Sequence, residues 1–140
     1  MDLPRKMKMI DDCIKRKANN DLEAMDLTLA QHHTLVYLVR REGHTAELKA
    51  IEREFRVSQP TVAGIAQRLE AKGYVEALRH PTDRRIKMIR LTPQGEELCA
   101  RSWEKMKKRN QAMTAGLSPE ELEELDRLLD VVYRNIEASE

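Results

Sequence analysis

Aromatic residues are scarce in this chain, at 4% of its 140 residues, so a core must be built from Leu, Ile, Val and Met. No apolar run approaches the length that a bilayer crossing needs. The opening residues MDLPRKMKMIDD lack an apolar stretch and a small-residue cleavage site, so we expect no secretory signal and a cytoplasmic location. Cys13 and Cys99 are the only cysteines and form no C-x-x-C pair, which predicts reduced thiols.

Motifs for catalysis and metal binding are also missing. The sequence contains no Gly-rich phosphate loop, no cluster of metal ligands and no Ser/His/Asp constellation, which argues against an enzyme and against a bound cofactor. His32 and His33 are adjacent, and neighbouring side chains on a helix point about 100° apart, so we predict no metal site there. His44 and His80 fall in turns and are expected to be ordinary surface residues.

The net charge is only +1, but the charges are unevenly distributed. Residues 46–92 carry ten Lys/Arg against six Asp/Glu, whereas residues 118–140 carry two Arg against eight Asp/Glu. A basic middle segment is typical of a chain that presents one surface to a polyanion. The alternative that charge alone leaves open is an ordinary solvated surface.

The chain has the length of one compact domain and contains no Gly/Ser- or Pro-rich linker. Helical patterns dominate its first third. Apolar residues recur at helical steps near the start, at Leu3, Met7, Ile10 and Ile14. A capping box of Thr28 and Gln31 begins a second helix, which we expect to reach Arg41 and to end at Gly43.

Two short helices joined by a tight turn are predicted next. Thr45 is expected to cap the first of them, and its inner face consists of Leu48, Ile51 and Phe55. Ser58 is placed to cap the second, with Pro60 in its first turn and Gly73 at its end. The buried face of this second helix consists of Val62, Ile65, Ala66 and Leu69. The pattern is typical of a helix-turn-helix.

The hydrophobic period then becomes alternating, which predicts two strands, Tyr74–Leu78 and Ile86–Leu91. The loop between them, RHPTDRR, is basic and makes the pair a β-hairpin. A helix-turn-helix followed by such a hairpin is a winged helix. Thr92 and Pro93 predict another helix, which runs to about residue 115.

The last helix begins at the capping box Ser118-Pro119-Glu120-Glu121. Its apolar stripe consists of Leu122, Leu125, Leu129, Val132 and Ile136. Because a small winged helix cannot cover the stripes at both ends of the chain, we predict a homodimer formed by the first and last helices of two subunits. The alternative is a helical layer within one subunit.

The fold class predicted from these elements is mainly α with a small β-hairpin wing, in a single winged-helix domain over residues 1–140. Within this domain, we expect residues 1–25 and 93–140 to serve mainly dimerisation. Residues 45–92 form the expected DNA-binding part.

The stretch from Leu48 to Gly95 resembles the MarR family of bacterial and archaeal regulators. The most specific pieces are RLEAKGYV, Asp83-Arg84-Arg85 in the hairpin loop, and LTPQG after it. The resemblance implies a winged-helix transcriptional regulator that is a homodimer and often a repressor. Such a protein binds a palindromic operator in double-stranded DNA and is released by a small molecule or an oxidant.

The start of the second short helix is the expected reader of DNA, because a helix N-terminus offers free amides to phosphates and side chains to base edges. Gln59 can pair with an adenine edge, Thr61 can donate to a base or phosphate, and Pro60 can contact a thymine methyl. Many relatives carry an Arg or another polar base reader in place of Gly64. The predicted contacts from this helix are Ser58, Gln59, Pro60, Thr61, Gly64 and Arg68, the last of which meets a phosphate or an internal carboxylate.

The hairpin loop supplies the second set of expected contacts. Arg84 and Arg85 can reach into a minor groove, and Asp83 can hold the Arg85 guanidinium extended, which is how the resembled family's Asp-x-Arg pattern is interpreted. We expect Arg79 and Lys87 on the hairpin stem to meet phosphates. The alternative is a solvated basic hairpin.

A small aromatic or anionic effector is implied by the resemblance. The crevice that holds it in the family would be lined here by Arg16, His33, Tyr37 and Arg79. We interpret Cys13 as a buried, unreactive residue and Cys99 as part of the core. Two alternatives stay open: an oxidant sensor that uses Cys13, and a winged-helix module that binds protein instead of DNA.

Overall fold

The computed structural model of the chain describes residues 1–139, and it has the mainly helical fold with a small antiparallel sheet that the sequence predicts. The elements are α1 (Leu3–Ala24), α2 (Leu29–Val39), a 3-10 turn (Glu42–His44), β1 (Thr45–Glu47), α3 (Leu48–Phe55), α4 (Gln59–Ala71), β2 (Val75–Arg79), β3 (Lys87–Leu91), α5 (Pro93–Met113) and α6 (Pro119–Ala138). The chain divides into two compact units, residues 1–100 and the described residues from 101 on, and the boundary falls inside α5.

The first unit contains an aliphatic core, as expected from the scarcity of aromatic residues. Its least exposed side chains come from α2, α3, α4 and the sheet: Leu35, Leu38, Ile51, Val62, Leu69, Val75, Ile89 and Leu91. All four residues predicted for the buried face of α4 are buried, and Ile51 is fully buried on α3. Leu48 and Phe55 pack against this core as half-buried side chains.

Thr45 does not cap α3, so that prediction is wrong. Thr45–Glu47 is a short strand, β1, which pairs with β3 so that Ala46 lies opposite Ile89 in a sheet of order β1-β3-β2. The Thr45 hydroxyl donates to the Gly43 carbonyl at 2.9 Å instead of accepting from the helix. Glu47 occupies the position before α3, without a side-chain hydrogen bond to the helix.

The two strands predicted for the hairpin exist, but each begins one residue later than expected, at Val75 and Lys87. The capping box at α2 is confirmed, because Thr28 accepts from the Gln31 amide at 3.1 Å and Gln31 accepts from the Thr28 amide at 3.3 Å. This helix ends at Val39, earlier than predicted. Gly43 lies in the following turn, with a φ of 66°.

The LTPQG segment connects β3 to α5 through a close backbone contact. Thr92 accepts from the Gly95 amide at 3.1 Å and donates to the Gly73 carbonyl at 2.6 Å. A Cβ on Gly95 would lie 2.1 Å from the Tyr74 carbonyl oxygen, so only glycine fits there. Gly73 ends α4 with a φ of 82°, in a Schellman arrangement closed by the amides of Gly73 and Tyr74.

The second unit consists of the later part of α5, a turn and α6. The Ser118 capping box is confirmed by two hydrogen bonds with Glu121, of 2.9 and 3.1 Å. No described residue from 101 to 139 is buried in the single chain. Within the part of the chain that the structure describes, no helix is long and apolar enough to span a membrane.

Candidate nucleic-acid interface

The N-terminus of α4 is capped and exposed, as the sequence predicts. Ser58 accepts from the Thr61 amide at 3.4 Å, and the two hydroxyl oxygens lie 2.9 Å apart. Gln59, Pro60 and Thr61 are all exposed. The tight turn before them is made by Arg56, which adopts a left-handed conformation with a φ of 53°. The first turn of α4 therefore offers polar side chains and amides to a ligand.

The exposed side of α4 continues from this first turn towards Arg68. Gly64 is half-buried, and Gln67 and Arg68 are exposed. A Cβ on Gly64 would lie 3.3 Å from Nη1 of Arg68, so the guanidinium lies directly above the glycine. This contact was not predicted from the sequence, although a spacing of four residues on a helix is the signal that indicates it.

Lys72 fixes the far end of α4 against the first two helices. Its ammonium donates to the backbone carbonyl of Asp26, which follows α1, and to Oε1 of Gln31 at 3.0 Å. Gln31 is buried and belongs to the capping box of α2. This lysine of the RLEAKGYV motif thus has a structural role, since it ties α4 to both helices.

The loop between β2 and β3 is closed by its own hydrogen bonds. The His80 amide donates to the Ile86 carbonyl at 3.2 Å, and the Ile86 amide donates to the Asp83 carbonyl at 3.1 Å. Nδ1 of His80 accepts from the Thr82 amide at 3.2 Å, so this histidine organises the loop instead of being an ordinary surface residue. The other turn histidine, His44, contacts Glu96 on α5 at 2.8 Å.

Asp83 holds Arg85 in the way the sequence predicts. Its carboxylate accepts from the Arg85 backbone amide at 3.0 Å, from Nε at 3.1 Å and from Nη2 at 3.2 Å. These hydrogen bonds, first those from the side chain and then that from the amide, lower the pKa of Asp83. The Arg85 side chain remains 91% exposed, so its guanidinium is oriented and still accessible. Arg79, Arg84 and Lys87 are exposed as well.

An ion pair that was not predicted from the sequence lies on the hairpin stem. Arg90 lies opposite Glu76 in the antiparallel register, and its Nε donates to Glu76 Oε1 at 2.8 Å. The pair neutralises one of the ten cations counted in the basic segment. A correct strand register would have revealed it, because directly opposed residues of opposite charge form such pairs.

The residues expected to line an effector crevice have other neighbours in the structure. The Tyr37 ring packs edge-on against Phe55 at 5.8 Å, and Arg41 lies over its face at 4.3 Å. Arg16 donates from Nη2 to the sulfur of Cys13 at 3.5 Å. His33 and Arg79 are exposed. Their role in effector binding stays a prediction.

The interpretation of Cys13 as a buried residue is wrong in the single chain, where this thiol is exposed on α1. Cys99 is half-buried against the core, as expected, and burial raises the pKa of its thiol. Among the described residues, no group of three or more His, Cys, Asp or Glu is placed to hold a metal ion. The adjacent rings of His32 and His33 are 6.4 Å apart.

Comparisons with known proteins find one family model and several curated relatives. A model described as the MarR family matches residues 25–86. The chain is 27% identical to the multiple antibiotic resistance protein MarR of Salmonella typhimurium over 128 residues, which cover 91% of this chain and 88% of that protein. It is 26% identical over 136 residues to an HTH-type transcriptional regulator of Bacillus subtilis, YybA, with coverage of 97% and 89%.

Solved structures of a transcription regulator have a similar fold. MepR, a transcription regulator of the Staphylococcus aureus multidrug efflux pump MepA, is similar with a TM-score of 0.85 and 26% identity, covering 97% of this chain and 99% of that one. A complex of S. aureus MepR with DNA is similar with a TM-score of 0.82 and 29% identity, with coverage of 92% and 96%.

Proposed function

We propose that the chain, which belongs to the MarR family of winged-helix transcription regulators, is a homodimeric repressor that binds a palindromic operator and is released by a small effector. Its family makes it a DNA-binding protein and not an enzyme. The single observation that carries the proposal is the pair of hydrogen bonds from the Arg85 guanidinium to the Asp83 carboxylate. They orient an exposed guanidinium in the loop of the β-hairpin, which is the wing of the fold. MepR, a protein of the same fold, is known in complex with DNA.

In this proposal α4 enters the major groove. Gln59 and Thr61 are exposed on its first turn, and Ser58 fixes that turn through its hydrogen bond to the Thr61 amide. A glutamine can pair with the N6 and N7 atoms of adenine, and a threonine can donate to a base or a phosphate. Pro60 is exposed between them, where it can contact a thymine methyl.

The wing reaches the minor groove in the same proposal. Arg84 and Arg85 lie in the loop, and narrow A·T-rich DNA concentrates negative potential that attracts such side chains. Because Asp83 already holds the Arg85 guanidinium, less side-chain entropy is lost when this arginine binds. Arg79 and Lys87, which are exposed on the stem, contact phosphates.

The homodimer is supported by apolar stripes that the single chain leaves exposed. On α1, Ile10 and Ile14 are 52% and 40% exposed, and on α6, Leu125 and Leu129 are 41% and 46% exposed. Monomeric proteins rarely expose large apolar patches, so we propose that a second copy of the chain covers these stripes. A two-fold dimer then presents two copies of α4 to half-sites spaced by about one turn of DNA, roughly 34 Å, or a multiple of it.

Release by a small aromatic or anionic molecule in the cytoplasm is the last part of the proposal. The Salmonella relative is a multiple antibiotic resistance protein, and MepR regulates a multidrug efflux pump. Both names concern small drug-like molecules, which supports an effector of this kind. Arg16, His33, Tyr37 and Arg79 are the residues we propose to contact it, although Tyr37 is already packed between Phe55 and Arg41.

A salt series with two wing variants tests the proposal. Duplexes selected from a randomised pool by the wild-type protein serve as the operator, and scrambled duplexes serve as the reference. Arg85→Ala should weaken binding about tenfold, since an ionic hydrogen bond contributes about 1.5 kcal/mol, and should lower the salt slope by about one. Asp83→Ala should weaken binding less, because it only frees the guanidinium.

The matched control is Glu54→Ala, which removes an exposed acid from α3 without disturbing Arg85. Loss of this exposed acid should leave binding unchanged, or tighten it slightly by making the protein less negative. Tighter binding by Asp83→Ala would contradict the proposal that Asp83 orients the Arg85 guanidinium for DNA. An unaffected Arg85→Ala would remove the wing from the mechanism, and the lack of any salt-dependent duplex binding would favour a protein-binding module.

Oxidant sensing is a second candidate function, because the Cys13 thiol is exposed and contacted by Arg16. An exposed thiol is open to oxidation by peroxides. This candidate predicts that an organic hydroperoxide weakens operator binding by the wild type at least tenfold and leaves Cys13→Ala bound. Cys99→Ala, which removes the half-buried thiol, should respond like the wild type. Equal binding by all three proteins with and without hydroperoxide would exclude the candidate.

A further inference from the structure

Gly64 lies in the middle of α4, where the packing of the protein does not require a glycine. A glycine inside a helix is less stable than an alanine, because it loses more backbone freedom on folding. Apart from the adjoining residues and the backbone of the helix itself, a Cβ at this position would meet only Nη1 of Arg68 within 4 Å. At Gly95, by contrast, a Cβ would collide with a backbone carbonyl. The reason for Gly64 therefore lies on the outer surface of the helix.

Arg68 occupies that outer surface. It follows Gly64 by four residues, and helical side chains lean towards the N-terminus, so Arg68 covers the turn that contains the glycine. With Nη1 only 3.3 Å from the position of the missing Cβ, the guanidinium lies one turn closer to Pro60 and Thr61 than its own Cα does. The side chain is exposed.

We infer that Arg68 reads a guanine in the major groove by reaching across Gly64. The inference rests on the proposed function, in which α4 is the recognition helix. A guanidinium fork matches the O6 and N7 acceptors of guanine, and this is the commonest specific contact of arginine with a base. Gly64 leaves the space for the guanidinium and for the close approach of a base edge. The contact replaces the phosphate or internal carboxylate that the sequence suggested for Arg68.

The test uses duplexes selected from a randomised pool by the wild-type protein, in which each base pair is then replaced in turn. Replacing one particular G·C pair in each half-site should weaken wild-type binding by about 5- to 150-fold, the range for a good bidentate contact. Arg68→Ala should discriminate less than threefold at that pair and keep the wild-type preferences at the other pairs. Arg53→Ala, which removes an exposed cation from α3, should keep the preference at every pair.

A modified base identifies the atom that is read. Replacing the guanine by 7-deazaguanine removes the N7 acceptor, which should weaken the wild type about five- to tenfold and leave Arg68→Ala unchanged. A purely structural role of Arg68 would not couple to one atom of one base. Gly64→Ala keeps the charge but places a methyl group against Nη1. It should raise the urea midpoint of unfolding and reduce discrimination at the same pair.

The outcomes separate this inference from the proposed function. If the wild type selects a consensus but Arg68→Ala shows the same preferences and the same sensitivity to 7-deazaguanine, the inference is wrong and the repressor proposal stands. If the wild type binds no duplex in a salt-dependent way, the proposed function itself fails, and the inference fails with it.

Discussion

Replacing Leu125 and Leu129 together by glutamate should convert the protein into monomers and lower its affinity for the selected operator at least 100-fold. In the single chain these leucines are 41% and 46% exposed, and no described residue from 101 to 139 is buried. Covering a leucine contributes about 1.5–3 kcal/mol, so two unpaired carboxylates in their place would prevent association. A monomer binds one half-site only and loses the roughly 10²- to 10⁴-fold gain of binding two linked sites.

Light scattering after size-exclusion chromatography gives the oligomeric state, and a fluorescence titration gives the operator affinity. Arg134→Glu is the control, since nine residues from Leu125 place it on the opposite side of α6. This variant should remain dimeric and bind the operator within a few-fold of the wild type. A dimer of the double leucine variant with unchanged affinity would contradict the proposed role of α6, and circular dichroism would verify that both variants are folded.

Gly95→Ala should be the most destabilising of the five possible glycine-to-alanine substitutions, with a loss of about 3 kcal/mol in the free energy of unfolding. The added Cβ would lie 2.1 Å from the Tyr74 carbonyl oxygen and 3.1 Å from Cδ2 of Leu91. Overpacking of this kind costs about 1–3 kcal/mol, and here the backbone itself must move. That movement would also strain the two hydrogen bonds that Thr92 makes to the carbonyls of Gly73 and Tyr74.

Urea unfolding followed by circular dichroism measures this loss. Gly64→Ala is the matched control, because the same methyl group, added to a helical glycine, would meet the end of a flexible arginine side chain and not a backbone carbonyl of another element. It should gain up to about 1 kcal/mol through the higher helix propensity of alanine. Equal stability of Gly95→Ala and the wild type would mean that α5 can shift away from Tyr74 without cost.

Local signals were sufficient for most of the helices. The capping boxes at Thr28 and Ser118 and the cap at Ser58 each depend on residues three positions apart, so the sequence contains the whole interaction. The buried face of α4 was also predicted correctly, since a period of 3.6 residues is a property of the helix itself. The same applies to Asp83 and Arg85, whose separation of two residues allows them to meet in almost any hairpin loop.

Contacts between distant residues decided the rest. The strand β1 has three residues and exists because β3 pairs with it, so Thr45 forms a ladder with Arg90 instead of a cap. The lysine of RLEAKGYV holds the end of α1 and the side chain of Gln31, which are more than 40 residues away. The requirement for glycine at 95 arises only where the start of α5 meets the Tyr74 carbonyl.

The candidate site divides in the same way. The sequence by itself determined the resemblance to the MarR family, the two elements proposed to contact DNA and the pairing of Asp83 with Arg85, because each depends on neighbours along the chain. Only the tertiary structure decided that Tyr37 is packed between Phe55 and Arg41, that Cys13 is exposed, and that Arg90 is paired with Glu76. Each of these depends on which helix or strand lies alongside, and packing against the core fixes that choice after the local pattern has been satisfied.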